Sequence, residues 1–154
     1  MKMIPGVNRY AKRPVYETES DRDEQRAVAK VLRAAWQVDV KLMPKLATAD
    51  YQITREGRLL AIGEHKRRRV TADTYDTLIL SYAKARKLLI MGYERRVNVL
   101  IIVHYDDQLM WAHLTNAHLE KSRKAGRTDR GDIHDIERCV EIRQSEMKKI
   151  KVPD

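Results

Sequence analysis

Apolar residues recur at helical spacing near the start of the chain. Val28, Val31, Leu32, Ala35 and Trp36 fall on one side of a 3.6-residue helix. Ser20, Asp21 and Asp23 ahead of them supply capping oxygens and negative charge, so the pattern predicts a helix from about Ser20 or Asp21 to Trp36. A short strand, Val38 to Met43, follows and is closed by Pro44. Two strand-like runs then flank the turn Arg55-Glu56-Gly57-Arg58, where Gly57 can take the left-handed conformation of a tight hairpin. Leu78, Ile79, Tyr82, Ala85, Leu88 and Leu89 form a second helical face, which predicts a helix from Ala72 or Asp73 to Met91 with Gly92 as its stop. The unbroken apolar run from Val97 to His104 suits a central strand covered on both faces. Leu109 to Leu114 is a further strand after the Asp106-Asp107 turn. Lys121 to Asp135 is polar, basic and punctuated by glycine, as a loop would be, and Cys139 to Ile142 reads as a late edge strand. Residues 1–17, with Lys2, Arg9, Lys12 and Arg13 among prolines and tyrosines, read as an extended basic arm ahead of a single domain spanning 18–154.

Composition narrows the class of partner. The formal net charge is +9 and the pI about 9.7, which favours a polyanion, most simply nucleic acid, over a merely solvated basic surface. A single cysteine, Cys139, excludes an internal disulfide and fits a reducing compartment. No apolar stretch reaches membrane-spanning length and no signal-peptide pattern opens the chain, so an intracellular, soluble protein is expected. His104, His113 and His118 match no closed zinc spacing, and neither a phosphate-binding glycine loop nor a Gly-x-Ser-x-Gly elbow is present.

The chemistry is concentrated in residues 49–69. Glu64 and Lys66, two apart at the end of an apolar run, would share one face of a strand, about 6.5 Å apart along it. A carboxylate and an ammonium so placed can hold a metal ion and steer a water beside it. Asp50 joins them if the hairpin loop has three residues, Glu56-Gly57-Arg58. Asp50 then stands opposite Glu64, and two carboxylates that close repel unless a cation lies between them. A loop of two residues would set Asp50 opposite Gly63 and turn it away. On the first helix, Glu24 lies one turn before Val28 on the apolar stripe, where a carboxylate is costly unless a cation or metal pairs with it. Arg67, Arg68 and Arg69 follow the strand, and Lys84, Arg86 and Lys87 lie on the second helix as candidate phosphate contacts, with Lys12 and Arg13 on the arm.

Asp-(x13)-Glu-x-Lys, with a hairpin glycine inside it and an acidic helix before it, resembles the PD-(D/E)XK nuclease superfamily over roughly residues 18–104. Ala49 stands where that pattern has proline. The resemblance implies an α/β, restriction-endonuclease-like fold, with a mixed sheet flanked by helices. It implies hydrolysis of DNA phosphodiester bonds with Mg²⁺, for which Mn²⁺ would substitute. An endonuclease is expected over an exonuclease, and a homodimer if both strands are cut. In this likeness Asp50 and Glu64 hold the metal with the backbone carbonyl of His65, and Lys66 orients the water or steadies the phosphate. Glu24 would hold a second metal or its waters, with Glu17, Glu19 and Asp21 as rivals for that role. The competing readings are a DNA-binding protein that keeps the fold without cleaving, and an assembly protein whose Glu64 and Lys66 form only a strand-end ion pair.

Overall fold

A computed structural model describes residues 19–126 and 136–151. The arm at 1–17, with Lys12 and Arg13, and most of the basic segment 121–135 lie outside the described residues, as does Glu17. Helix α1 spans Glu19–Trp36, opens with Glu19 and Asp21 in its first turn, and buries Val28, Ala29 and Leu32. Val31, Ala35 and Trp36 of the expected stripe pack half-buried against the same core. Strands β1 (Asp39–Leu42), β2 (Tyr51–Arg55) and β3 (Arg58–Arg67) form an antiparallel meander. Then come β4 (Thr77–Ser81), α2 (Tyr82–Arg95), β5 (Asn98–His104), β6 (Leu109–Leu114), the short α3 (Asn116–Glu120), β7 (Arg123–Gly126), β8 (Ile136–Arg143) and β9 (Lys148–Lys149).

The main sheet runs β1-β2-β3-β5-β6-β9, and only β3 and β5 pair in parallel. Its two faces bury separate cores. On one, α1 lies over Val40, Tyr51, Ile53, Leu100 and Ile102. On the other, Ala85 and Leu88 of α2, with Leu78, Leu80, Val140 and Ile142 of a three-stranded sheet β4-β8-β7, cover Ile62, Val99, Ile101 and Val103. Strand β5 is thus buried from both sides, which is why its sequence is apolar without alternation. Among the described residues no helix is long and apolar enough to cross a membrane.

Three expectations need correction. The second helix does not begin at Ala72 or Asp73. Thr77–Ser81 is a strand, in which Leu78 and Leu80 are buried and Ile79 is exposed, a two-residue alternation. Ser81 then caps α2, its hydroxyl accepting from Lys84 N at 3.3 Å. Gly92 does not stop the helix, which continues to Arg95 and ends on Arg96 in the left-handed conformation. A Cβ at Gly92 would come 2.6 Å from Val99 Cγ2, so the glycine lets α2 lie close on β5. Cys139 to Ile142 belongs to β8, the central strand of the second sheet rather than an edge.

Candidate active site

The hairpin sets the site. Its tip has two residues, Glu56 (φ 52) and Gly57 (φ 78), both left-handed, as a type I′ turn requires. Arg55 therefore pairs with Arg58 and Thr54 with Leu59. A bulge then admits one extra residue on β3, and Ile53, Gln52 and Tyr51 pair with Ala61, Ile62 and Gly63. The tip follows the two-residue register, while the base follows the register that aligns Asp50 with Glu64. Asp50 lies just beyond the paired residues: its N donates at 2.9 Å to the carbonyl of Gly63, the partner of Tyr51, and its Oδ2 accepts from His65 N at 2.8 Å. Tyr51 and Gly63 lie against each other, since a Cβ at Gly63 would meet Tyr51 Cδ2 at 3.3 Å. The fully buried Tyr51 hydroxyl donates to Gln25 O at 2.9 Å and ties this corner to α1.

Asp50 and Glu64 come together. The charge of Asp50 bears directly on the Glu64 carboxyl, and Glu64 is only 6% exposed. Burial first, and the charge of Asp50 second, push the Glu64 carboxyl up to about 8, against the pull of Lys84 and Lys66. Lys66 lies within the same field; burial pushes its ammonium below the ordinary lysine range and Glu64 opposes this. Glu64 Oε2 is buried and makes no hydrogen bond, although Lys84 Nζ approaches to 3.4 Å. This donor set fits a hard divalent cation. It offers two adjoining carboxylates, one with an orphaned buried oxygen, and a bound cation would replace their repulsion by attraction. Among the described residues no group of three or more acidic, histidine or cysteine side chains is placed to hold an ion, so the remaining ligands of such a cation would be backbone, water or substrate oxygens.

Glu24 is placed elsewhere. Residues of β3 alternate between faces; Glu64 and Lys66 look toward α2, whereas His65 and Arg67 look toward α1. Glu24, on α1, meets Arg67 Nε and Arg69 Nη2, each at 3.0 Å, with His104 Nδ1 at 3.7 Å. The counter-charge its position on the apolar stripe demands is supplied by arginine. The exposed Glu19 pairs with Arg26.

The basic run after β3 is largely occupied within the fold. Arg67 also reaches Asp106 Oδ1 at 2.6 Å and His104 O at 2.9 Å. Arg68 donates to Ile79 O and Arg67 O, which leaves Arg69 as the most exposed of the three. Arg86 and Lys87 are exposed on α2. Lys84, expected beside them as a phosphate contact, instead turns inward to Glu64 and donates to Thr48 O. Placing that lysine depended on where α2 begins, and the Ser81 cap was the signal for it. Burial holds the His65 ring neutral, pushed down to about 4, and lowers His104 as well.

The model of the family described as "Phage putative PDDEXK endonuclease" matches residues 11–150. No curated protein matches the chain significantly. Among solved structures the chain is similar to Hjc, a Holliday junction resolvase of the archaeal hyperthermophile Archaeoglobus fulgidus. The TM-score is 0.54 at 13% identity, with 86% of this chain and 93% of that one covered. At that identity the likeness shows the fold, a restriction-endonuclease-like mixed sheet with flanking helices.

Proposed function

Because this chain belongs to the phage PDDEXK endonuclease family, and is by that membership a metal-dependent nuclease acting on DNA, we propose that Asp50, Glu64 and Lys66 are its working site and that it cuts within DNA strands. Asp50 and Glu64 would hold Mg²⁺, with Mn²⁺ as a substitute, helped by the backbone carbonyl of His65. When bound, such a cation polarises the scissile phosphate and lowers the pKa of a coordinated water.

The chain's own residues do the rest. The bond from His65 N fixes the Asp50 carboxylate, and the hairpin holds it against Glu64. Lys66, on the Glu64 face of β3, orients the attacking water or stabilises charge growing on the phosphate. Arg69, Arg86 and Lys87 contact phosphates and set the register of the duplex without reading its sequence. Glu24 holds Arg67 and Arg69 in place rather than a second metal. A homodimer would bring two such sites to the two strands.

The observation that carries this reading is the Asp50 carboxylate, held by His65 N at 2.8 Å, next to the buried Glu64, which shares its face of β3 with Lys66. The test is incubation with linear, circular, branched and single-stranded DNA, with Mg²⁺, Mn²⁺ or chelator. Nicking of closed circular DNA that needs the metal and is lost in Asp50→Asn supports the proposal. Digestion only from ends contradicts the endonuclease reading, and metal-independent cleavage contradicts the site.

A further inference from the structure

Lys84 stands in an unfavourable place for a cation. It is in the first turn of α2, a helix with no acidic residue there, where the positive end of the helix dipole repels an ammonium. The Ser81 cap joins that turn to the end of β4, and the lysine stem turns inward. Its Nζ ends 3.4 Å from the orphaned Glu64 Oε2 and donates to the carbonyl of Thr48, two residues before Asp50. The ammonium thus bridges the loop that carries one carboxylate and the strand that carries the other.

We propose that Lys84 is the resident counter-cation of the Asp50–Glu64 pair, holding the two carboxylates together in the metal-free protein and yielding as a divalent cation enters, so that Lys84 sets the metal affinity of the site. This rests on the reading that Asp50 and Glu64 hold the metal. The side chain is one-third exposed, so the flexible lysine stem has solvent into which to swing. The charge balance sets the direction of the effect. A divalent ion between the carboxylates feels the ammonium twice as strongly as a proton would. Removing the ammonium therefore tightens metal binding more than it favours protonation of Glu64. Lys84 is then a positioning residue: it keeps the empty pair assembled at the expense of weaker metal binding.

The test titrates Mn²⁺ into metal-free wild type, Lys84→Met, Lys84→Arg and Asp50→Asn by calorimetry, and measures the Mn²⁺ concentration at half-maximal cleavage for those that cut. Lys84→Met should bind Mn²⁺ about tenfold more tightly and half-saturate at correspondingly lower metal. Lys84→Arg, which keeps the charge, should stay near wild type, and Asp50→Asn should lose binding. A merely structural lysine would not tighten metal binding when removed. Unchanged or weaker binding in Lys84→Met, with wild type binding and Asp50→Asn not, overturns the inference and leaves the metal site standing. Equal binding by wild type and Asp50→Asn overturns the metal site itself, and the inference with it. Should Lys84→Met fail to melt cooperatively, Lys84→Gln carries the same expectations.

Discussion

Burial and the neighbouring Asp50 raise the Glu64 carboxyl to about 8, so in metal-free protein this group opposes folding once it ionises. A folded pKa above the unfolded one contributes stability that is complete below the unfolded value, near 4.5, and is lost as pH rises through about 8. Metal-free protein should therefore lose on the order of a few kcal/mol over that window. Thermal melts should show Glu64→Gln flattening the profile and becoming more stable than wild type at pH 8; an unchanged profile would mean that Glu64 is not the strained group. Lys66→Ala should lower cleavage by roughly a hundredfold or more, the scale of losing one group that stabilises transition-state charge, with the fold and DNA affinity nearly intact. Activity near wild type would pass the role to another cation, Lys84 first. For Glu24, the arginine pairing makes a separate forecast. Glu24→Gln should leave Mn²⁺ affinity unchanged and cost about 1 kcal/mol, because Arg67 keeps Asp106. A fall in metal affinity would restore Glu24 to the metal site.

At the scale of elements, the hairpin shows how a local rule and a site can both be met. A type I′ tip imposes one register and the Asp50–Glu64 pairing needs another; Leu60, the residue taken up by the bulge between Thr54–Leu59 and Ile53–Ala61, reconciles them. Deleting Leu60 should remove the bulge while keeping Tyr51 opposite Gly63, so Mn²⁺ affinity should hold within about threefold, a change of roughly 0.7 kcal/mol. Loss of binding would show that the bulge itself aims Asp50. Much of this architecture was legible in the residues. The helical stripe of α1, the continuous run of β5 and the Glu64–Lys66 spacing each left one physical solution. The hairpin register was left open, because a bulge can follow either tip. The start of α2 was hidden because Leu78, Ile79 and Tyr82 satisfy a helical period, while strand alternation lasts only five residues. Gly92 read as a stop because the demand it answers, contact with Val99, comes from tertiary packing. Lys84 and Glu24 were recognised as charged positions, but their partners lie on other elements and follow from the face each strand residue presents.

Across the whole molecule, the net charge of +9 acts through those cations that the fold leaves exposed. Arg67 and Arg68 are held by carboxylates and carbonyls, whereas Arg86 and Lys87 face solvent. DNA binding by the Asp50→Asn protein should weaken steeply with salt, and Arg86→Ala and Lys87→Ala should each lower the logarithmic salt slope by about 1. Arg68→Ala should leave that slope alone and lower the melting temperature. The two-faced sheet brings these surfaces and both lysines around one pair of carboxylates. A crystal structure soaked in Mn²⁺ and read by anomalous scattering shows whether that pair holds the metal. An ion should be bonded to carboxylate oxygens of both Asp50 and Glu64, with the Lys84 ammonium withdrawn from Glu64. Carboxyl groups pointing to opposite faces of the sheet, or an ion bound at Glu24 with none between Asp50 and Glu64, would contradict that assignment.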